Sequence, residues 1–201
     1  MMRGDDVRVA VELGAAYIGA IFAGGPRLIT VDHARRMFDG VDDVRRVGVF
    51  GAQSADEIAR TAEAADLDVI QLHADPTPMF VAEVKGKTGL ETWAAIRVAN
   101  MVADSHLRAL SSCADAILFD ARSDGALGGT GRTFDWTLLP DRRRAATRIV
   151  LAGGLTPVVV GDAIARVRPD VVDVSSGVES APGVKDPQLM RAFVDAVRAA
   201  T

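Results

Sequence analysis

Short, mostly continuous apolar runs alternate with amphipathic runs along the whole chain. The apolar runs predict strands at Ala16–Phe22, Arg46–Gly51, Asp68–Leu72, Thr92–Val98, Ala116–Asp120, Arg148–Ala152 and Val171–Ser175. Strands without a polar alternation are expected where both faces of a parallel sheet are covered. Between them the apolar residues recur at helical spacing. Asp5–Leu13 presents Val7, Val9, Ala10 and Leu13 on one side. Ser54 with Glu57 forms a capping-box pattern, Pro157 is placed to start a helix, and Asp186-Pro187 opens a last helix through Leu189, Phe193 and Val197. The strands recur roughly every 20–30 residues, the spacing of βα units.

Strict β-α alternation allows an open doubly wound sheet or a (β/α)₈ barrel. No Gly-x-Gly-x-x-Gly turn follows the first strand, so the dinucleotide-binding form of the open sheet has no support. Seven strands are recognisable, and the first helix has no strand before it. A barrel with its first strand missing is therefore expected, with two unpaired edges where closure should occur.

The strand ends add chemistry. A Gly-rich run, Asp124–Gly131, follows Asp120. The sixth strand ends in Gly153-Gly154-Leu155, and the seventh runs into Ser175-Ser176-Gly177-Val178-Glu179. Small residues let backbone N–H groups approach an anion closely, so these turns predict a phosphate-binding wall. Asp120 closes an apolar strand, a setting that can keep a carboxyl protonated near neutrality, although capping of the next loop is an equal alternative.

Composition narrows the partners. The chain has 201 residues, 49% hydrophobic and 25% charged, which fits one domain over residues 1–201. A net charge of −4 argues against nucleic acid, and no apolar run or N-terminal segment suits a membrane span or a signal peptide. A cytoplasmic protein is expected. Its single cysteine, Cys113, permits no internal disulfide. His73 has no second ligand at metal-binding spacing, so no metal is expected. His33 and His106 read as helix-surface residues, and Lys185 receives no role.

From about residue 3 to its end the chain resembles phosphoribosylanthranilate isomerases of tryptophan biosynthesis. The likeness rests on Gly14–Gly19, Pro26-Arg27, Val47–Phe50, Ile70-Gln71-Leu72-His73 and Leu118-Phe119-Asp120. It continues through Gly128–Trp136, Leu151–Leu155 and Asp173–Asp186. The resemblance implies a (β/α)₈ barrel that performs an Amadori rearrangement without cofactor, as a monomer or homodimer acting on a phosphosugar-anthranilate. It assigns Asp120 as general acid and Arg27 as partner of the anthranilate carboxylate. Gly153, Gly154, Ser175, Ser176 and Gly177 would hold the 5′-phosphate, with Asp173 nearby, His73 and Arg97 facing the substrate, and Asp124–Thr130 as a lid. The family's general base is a Cys on a strand before the first helix, which is not recognisable here. Cys113 precedes a strand at the barrel's other end and is not expected to replace it. A non-catalytic, phosphometabolite-binding relic of the same fold is the alternative; a synthase or epimerase barrel is disfavoured because strand-end lysines or paired histidines are missing.

Overall fold

The computed structural model describes residues 1–98, 102–120, 139 and 147–201. Seven parallel strands pair in chain order: β1 (Tyr17–Ile21), β2 (Arg45–Phe50), β3 (Val69–Leu72), β4 (Glu91–Arg97), β5 (Ala116–Asp120), β6 (Arg148–Ala152) and β7 (Val171–Val172). Each pairs only with its sequence neighbours, so the sheet curls progressively around one axis and β1 and β7 are its ends. The helices are α1 (Gly4–Glu12), α2 (Val31–Phe38), α3 (Ala55–Ala64), α4 (Pro78–Thr88), α5 (Asp104–Ser111), α6 (Val160–Val167) and α7 (Pro187–Ala200).

Side-chain alternation divides each strand between two cores. Ile70, Leu72, Ile117, Phe119, Ile149 and Leu151 face outward and join the helix residues in one buried cluster. Val47, Val69, Trp93, Ala95, Ala116, Leu118, Val150 and Ala152 face inward and form a second cluster, the filled interior of a barrel. The floor, at the strand starts, is closed by Glu91. Its carboxylate receives Arg45, Arg148 and the Trp93 indole N–H, and Tyr17 packs edge-on against Trp93 with centroids 5.0 Å apart.

The expected strands are all present, with ends shifted by a residue at most places. The seventh departs most: it stops at Val172, and Asp173–Ser175 turns away from the ladder after the Asp173 N–H donates to the Leu151 carbonyl. Pro157 does not begin a helix. It lies in a turn in which Val159 N–H bonds the Thr156 carbonyl, and α6 starts at Val160. The capping box of Ser54 and Glu57 is formed, and Asp186 caps α7 ahead of Pro187. A small hairpin, β8 (Glu179–Ala181) with β9 (Val184–Lys185), interrupts what reads as loop in the sequence.

Candidate active site at the barrel mouth

Because the strands are parallel, all their C-terminal ends open on one mouth, and inward-facing positions there carry the polar residues. On β5 the inward series Ala116, Leu118, Asp120 ends in a carboxylate whose side chain is 12% exposed. On β3 the same series runs Val69, Gln71, His73. His73 Nε2 lies 3.3 Å from Asp120 Oδ2, and its Nδ1 is 3.1 Å from the Gln71 amide nitrogen. Arg97 is in register with Asp120 on the next strand, but its side chain is 60% exposed and leans toward Asp75, 3.9 Å away. Asp173 keeps accessible surface at the mouth, yet the protein atoms around its carboxyl push its pKa up. Lys185, the chain's amino group and His73 pull it down, while Asp120 pushes it up.

The two glycine-containing turns meet. Gly153 and Gly154 both take left-handed φ values, 83° and 65°. After β7, Ser175 leads into a single 3-10 turn, Ser176–Val178. Gly177 there passes so close to the preceding turn that a Cβ on it would sit 1.8 Å from the Leu155 carbonyl oxygen. Among the described residues, no acceptor receives the backbone N–H groups of Gly153, Gly154, Ser176 and Gly177. Adjacent unused donors suit an anion. Gly177→Ala must push two backbones apart, and we expect it to cost about 3 kcal/mol or more. Gly154→Ala meets open space and should cost only about 1–2 kcal/mol for its left-handed backbone. Thermal unfolding of the two proteins compares them directly.

Beside this turn lies a charged network that sequence reasoning missed. Arg27 grips Glu179 through two nitrogens, Nε at 2.9 Å from Oε1 and Nη2 at 2.5 Å from Oε2. Lys185 Nζ donates to Glu179 Oε1 at 3.1 Å and to the Ser175 carbonyl at 2.8 Å. The Lys185 N–H donates to Asp6 at 3.2 Å, and Asp6 is held in turn by Arg3. The side chains of Glu179 and Lys185 are 4% and 6% exposed. Burial alone would raise the Glu179 pKa; hydrogen bonds and charge from Arg27 and Lys185 overcome this and hold it at about 2. Arg27 is thus tied through Glu179 and Lys185 to the backbone of the Ser175 turn. The one hint in the sequence is that Glu179 and Lys185 fall among small and apolar residues.

Cys113 lies in the turn before β5, at the floor end of the strand whose mouth end is Asp120. Its thiol faces the Ala109 and Leu110 carbonyls, and burial pushes its pKa up. It therefore takes no part at the mouth. His33, on α2, meets the Met2 carbonyl, and His106 is exposed on α5. The expected lid, Asp124–Thr130, lies outside the described residues. No helix among the described residues is long and apolar enough to cross a membrane.

Comparison with known proteins agrees with this arrangement. The model of the family described as N-(5′-phosphoribosyl)anthranilate (PRA) isomerase matches residues 1–196. The chain belongs to this family. A relative from Ralstonia nicotianae, named N-(5′-phosphoribosyl)anthranilate isomerase, is 42% identical over 98% of this chain and 89% of its own length. The crystal structure of phosphoribosyl anthranilate isomerase from Thermotoga maritima is 33% identical and covers 99% of this chain and 96% of its own, with a TM-score of 0.87. A further isomerase structure, 28% identical with a TM-score of 0.79 over 99% of this chain and 95% of its own, holds reduced 1-(o-carboxyphenylamino)-1-deoxyribulose 5-phosphate. Solved isomerases of this family thus share the chain's α/β fold and align with nearly all of it.

Proposed function

We propose that the chain, as one domain over residues 1–201, isomerises N-(5′-phosphoribosyl)anthranilate to the corresponding aminoketose in tryptophan biosynthesis, in the cytoplasm. The observation that carries the reading is the joint placement of a nearly buried Asp120 and two interlocked glycine turns on one barrel mouth. The substrate has three recognisable parts, and each meets a suitable group. The 5′-phosphate takes the unused N–H donors of Gly153, Gly154, Ser176 and Gly177, with Ser175 shaping the turn. The anthranilate carboxylate matches the planar guanidinium of Arg27. The sugar lies between, beside Asp120, His73, Arg97 and Asp173.

Asp120 gives its proton to the furanose ring oxygen as the C1–O bond breaks, leaving a Schiff base between C1 and the anthranilate nitrogen. A base then takes the C2 proton, the role that the family resemblance gives to a Cys on a strand before the first helix, and the resulting enolamine tautomerises to the ketone as C1 gains a proton. Each step moves a proton, with Asp120 as the positioned acid, and the electrons balance within the substrate. The ligand held by the 28% identical relative carries a carboxyphenylamino group and a 5-phosphate, the two ends this site is built to separate.

The decisive test is saturable turnover of phosphoribosylanthranilate by the purified chain, followed by loss of anthranilate fluorescence. A folded protein that neither turns over nor binds this substrate would sink the proposal. Arg27→Lys keeps the charge but loses the fork, and should raise KM about tenfold with kcat little changed.

A further inference from the structure

Gln71 is 5% exposed in the middle of β3, between Ile70 and Leu72, which join the outer core. A buried amide is costly unless it is bonded. Its one side-chain bond among the described residues goes to a residue of the mouth: Gln71 Nε2 is 3.1 Å from His73 Nδ1. The two residues are neighbours on the inward face of the strand. The other ring nitrogen of His73, Nε2, faces Asp120 Oδ2 at 3.3 Å. Three polar side chains thus form a single file from the barrel interior to the carboxylate at the mouth.

The chemistry of the file is directional. With its amide nitrogen turned to the ring, Gln71 can only donate, and a neutral His73 that accepts this bond at Nδ1 carries its hydrogen on Nε2. That hydrogen points at Asp120 Oδ2, which must then accept. We propose that Gln71 is a positioning residue that fixes the Nε2–H tautomer of His73, so that Asp120 carries its transferable proton on Oδ1 and presents it to the substrate. This rests on Asp120 being the general acid. Of the other charged groups at the mouth, Asp173, in the segment after β7, interacts electrostatically with Asp120, His73 and Lys185 of β9, while the Arg97 side chain on β4 leans toward Asp75. None of these contacts Nδ1 of His73, so the tautomer is left to Gln71.

The test reads the tautomer directly. The chain has three histidines, so ¹⁵N-resolved imidazole spectra of the whole protein without substrate are simple, and His33→Asn and His106→Asn identify the His73 signals. Wild type is expected to show Nδ1 as the unprotonated nitrogen and Nε2 as the protonated one. Gln71→Glu places an acceptor against Nδ1 and is expected to move the hydrogen there, or to hold the ring doubly protonated, with kcat falling about 10–100-fold and KM changing little. Gln71→Leu fills the same space in an apolar strand; it should remove the restraint and lower kcat by a smaller factor. Unchanged thermal unfolding separates these effects from misfolding. A wild-type His73 protonated at Nδ1 overturns the inference, as does a Gln71→Glu protein with the wild-type tautomer and kcat. Wild-type turnover by Asp120→Asn, in contrast, overturns the acid assignment while the tautomer stands.

Discussion

Asp120→Asn should lower kcat/KM for phosphoribosylanthranilate by about 10²–10⁴-fold, the range expected on losing a positioned proton donor. Asparagine has the same shape and keeps an acceptor for His73, so the barrel should fold and unfold as before. What it lacks is an acidic proton for the ring oxygen. KM should change little, because Arg27 and the phosphate turns are untouched. Asp120→Glu sharpens the point. It restores the acid but moves the carboxyl by more than 1 Å, and a displacement of that size can cost about 100-fold. Both are measured by the fluorescence assay, alongside melting curves. If Asp120→Asn retains turnover within about threefold of wild type, the acid is another group.

Glu179→Gln should be the most destabilising of the charge-neutralising changes at the mouth. The glutamate is nearly buried and answers two cations, Arg27 and Lys185. Removing its charge takes the shared, nearly buried counter-ion from both, and breaking a buried ion pair typically costs about 3–5 kcal/mol. Arg27 is 22% exposed and regains some water, so we expect about 3 kcal/mol, a fall of roughly 6–12 °C in Tm. Because Arg27 and the Ser175 turn are both released, KM should rise as well.

The same residue sets an acid limit. Its folded pKa of about 2 lies below the ordinary glutamate value of 4.5, so the folded state binds the proton less well than the unfolded chain. Its contribution is complete above about pH 5, shrinks as pH falls through 4.5, and is gone below about 2. The shift corresponds to roughly 3 kcal/mol. Denaturation by urea at several pH values should show wild type losing stability over that interval, and Glu179→Gln lacking that component.

The sequence discloses the scaffold more readily than the network. Strand positions were legible because two-sided burial makes β3, β5 and β6 nearly unbroken apolar runs, and Asp120, His73 and the glycine turns stand where those runs stop. The short β7 was not legible: Val174 continues the apolar run while the backbone already bends away. Pro157 fits the first turn of a helix and equally the turn that it occupies. Arg27 and Glu179 are 152 residues apart in the chain, and no local pattern encodes a pairing across that distance. Gln71 could have been noticed as a lone amide in a buried strand, but its partner became visible only when alternation put His73 on the same face.

The floor and the mouth of this barrel are separate engineering territories. Glu91 gathers Arg45, Arg148 and Trp93 at the strand starts, while Asp120 works at a strand end, roughly 15 Å of extended chain away. Heat tolerance could therefore be sought by reworking the hub around Glu91, where a tighter packing or an added ion pair disturbs no group that meets substrate. The compromise between robustness and turnover that constrains so many enzymes need not apply at that end of the molecule.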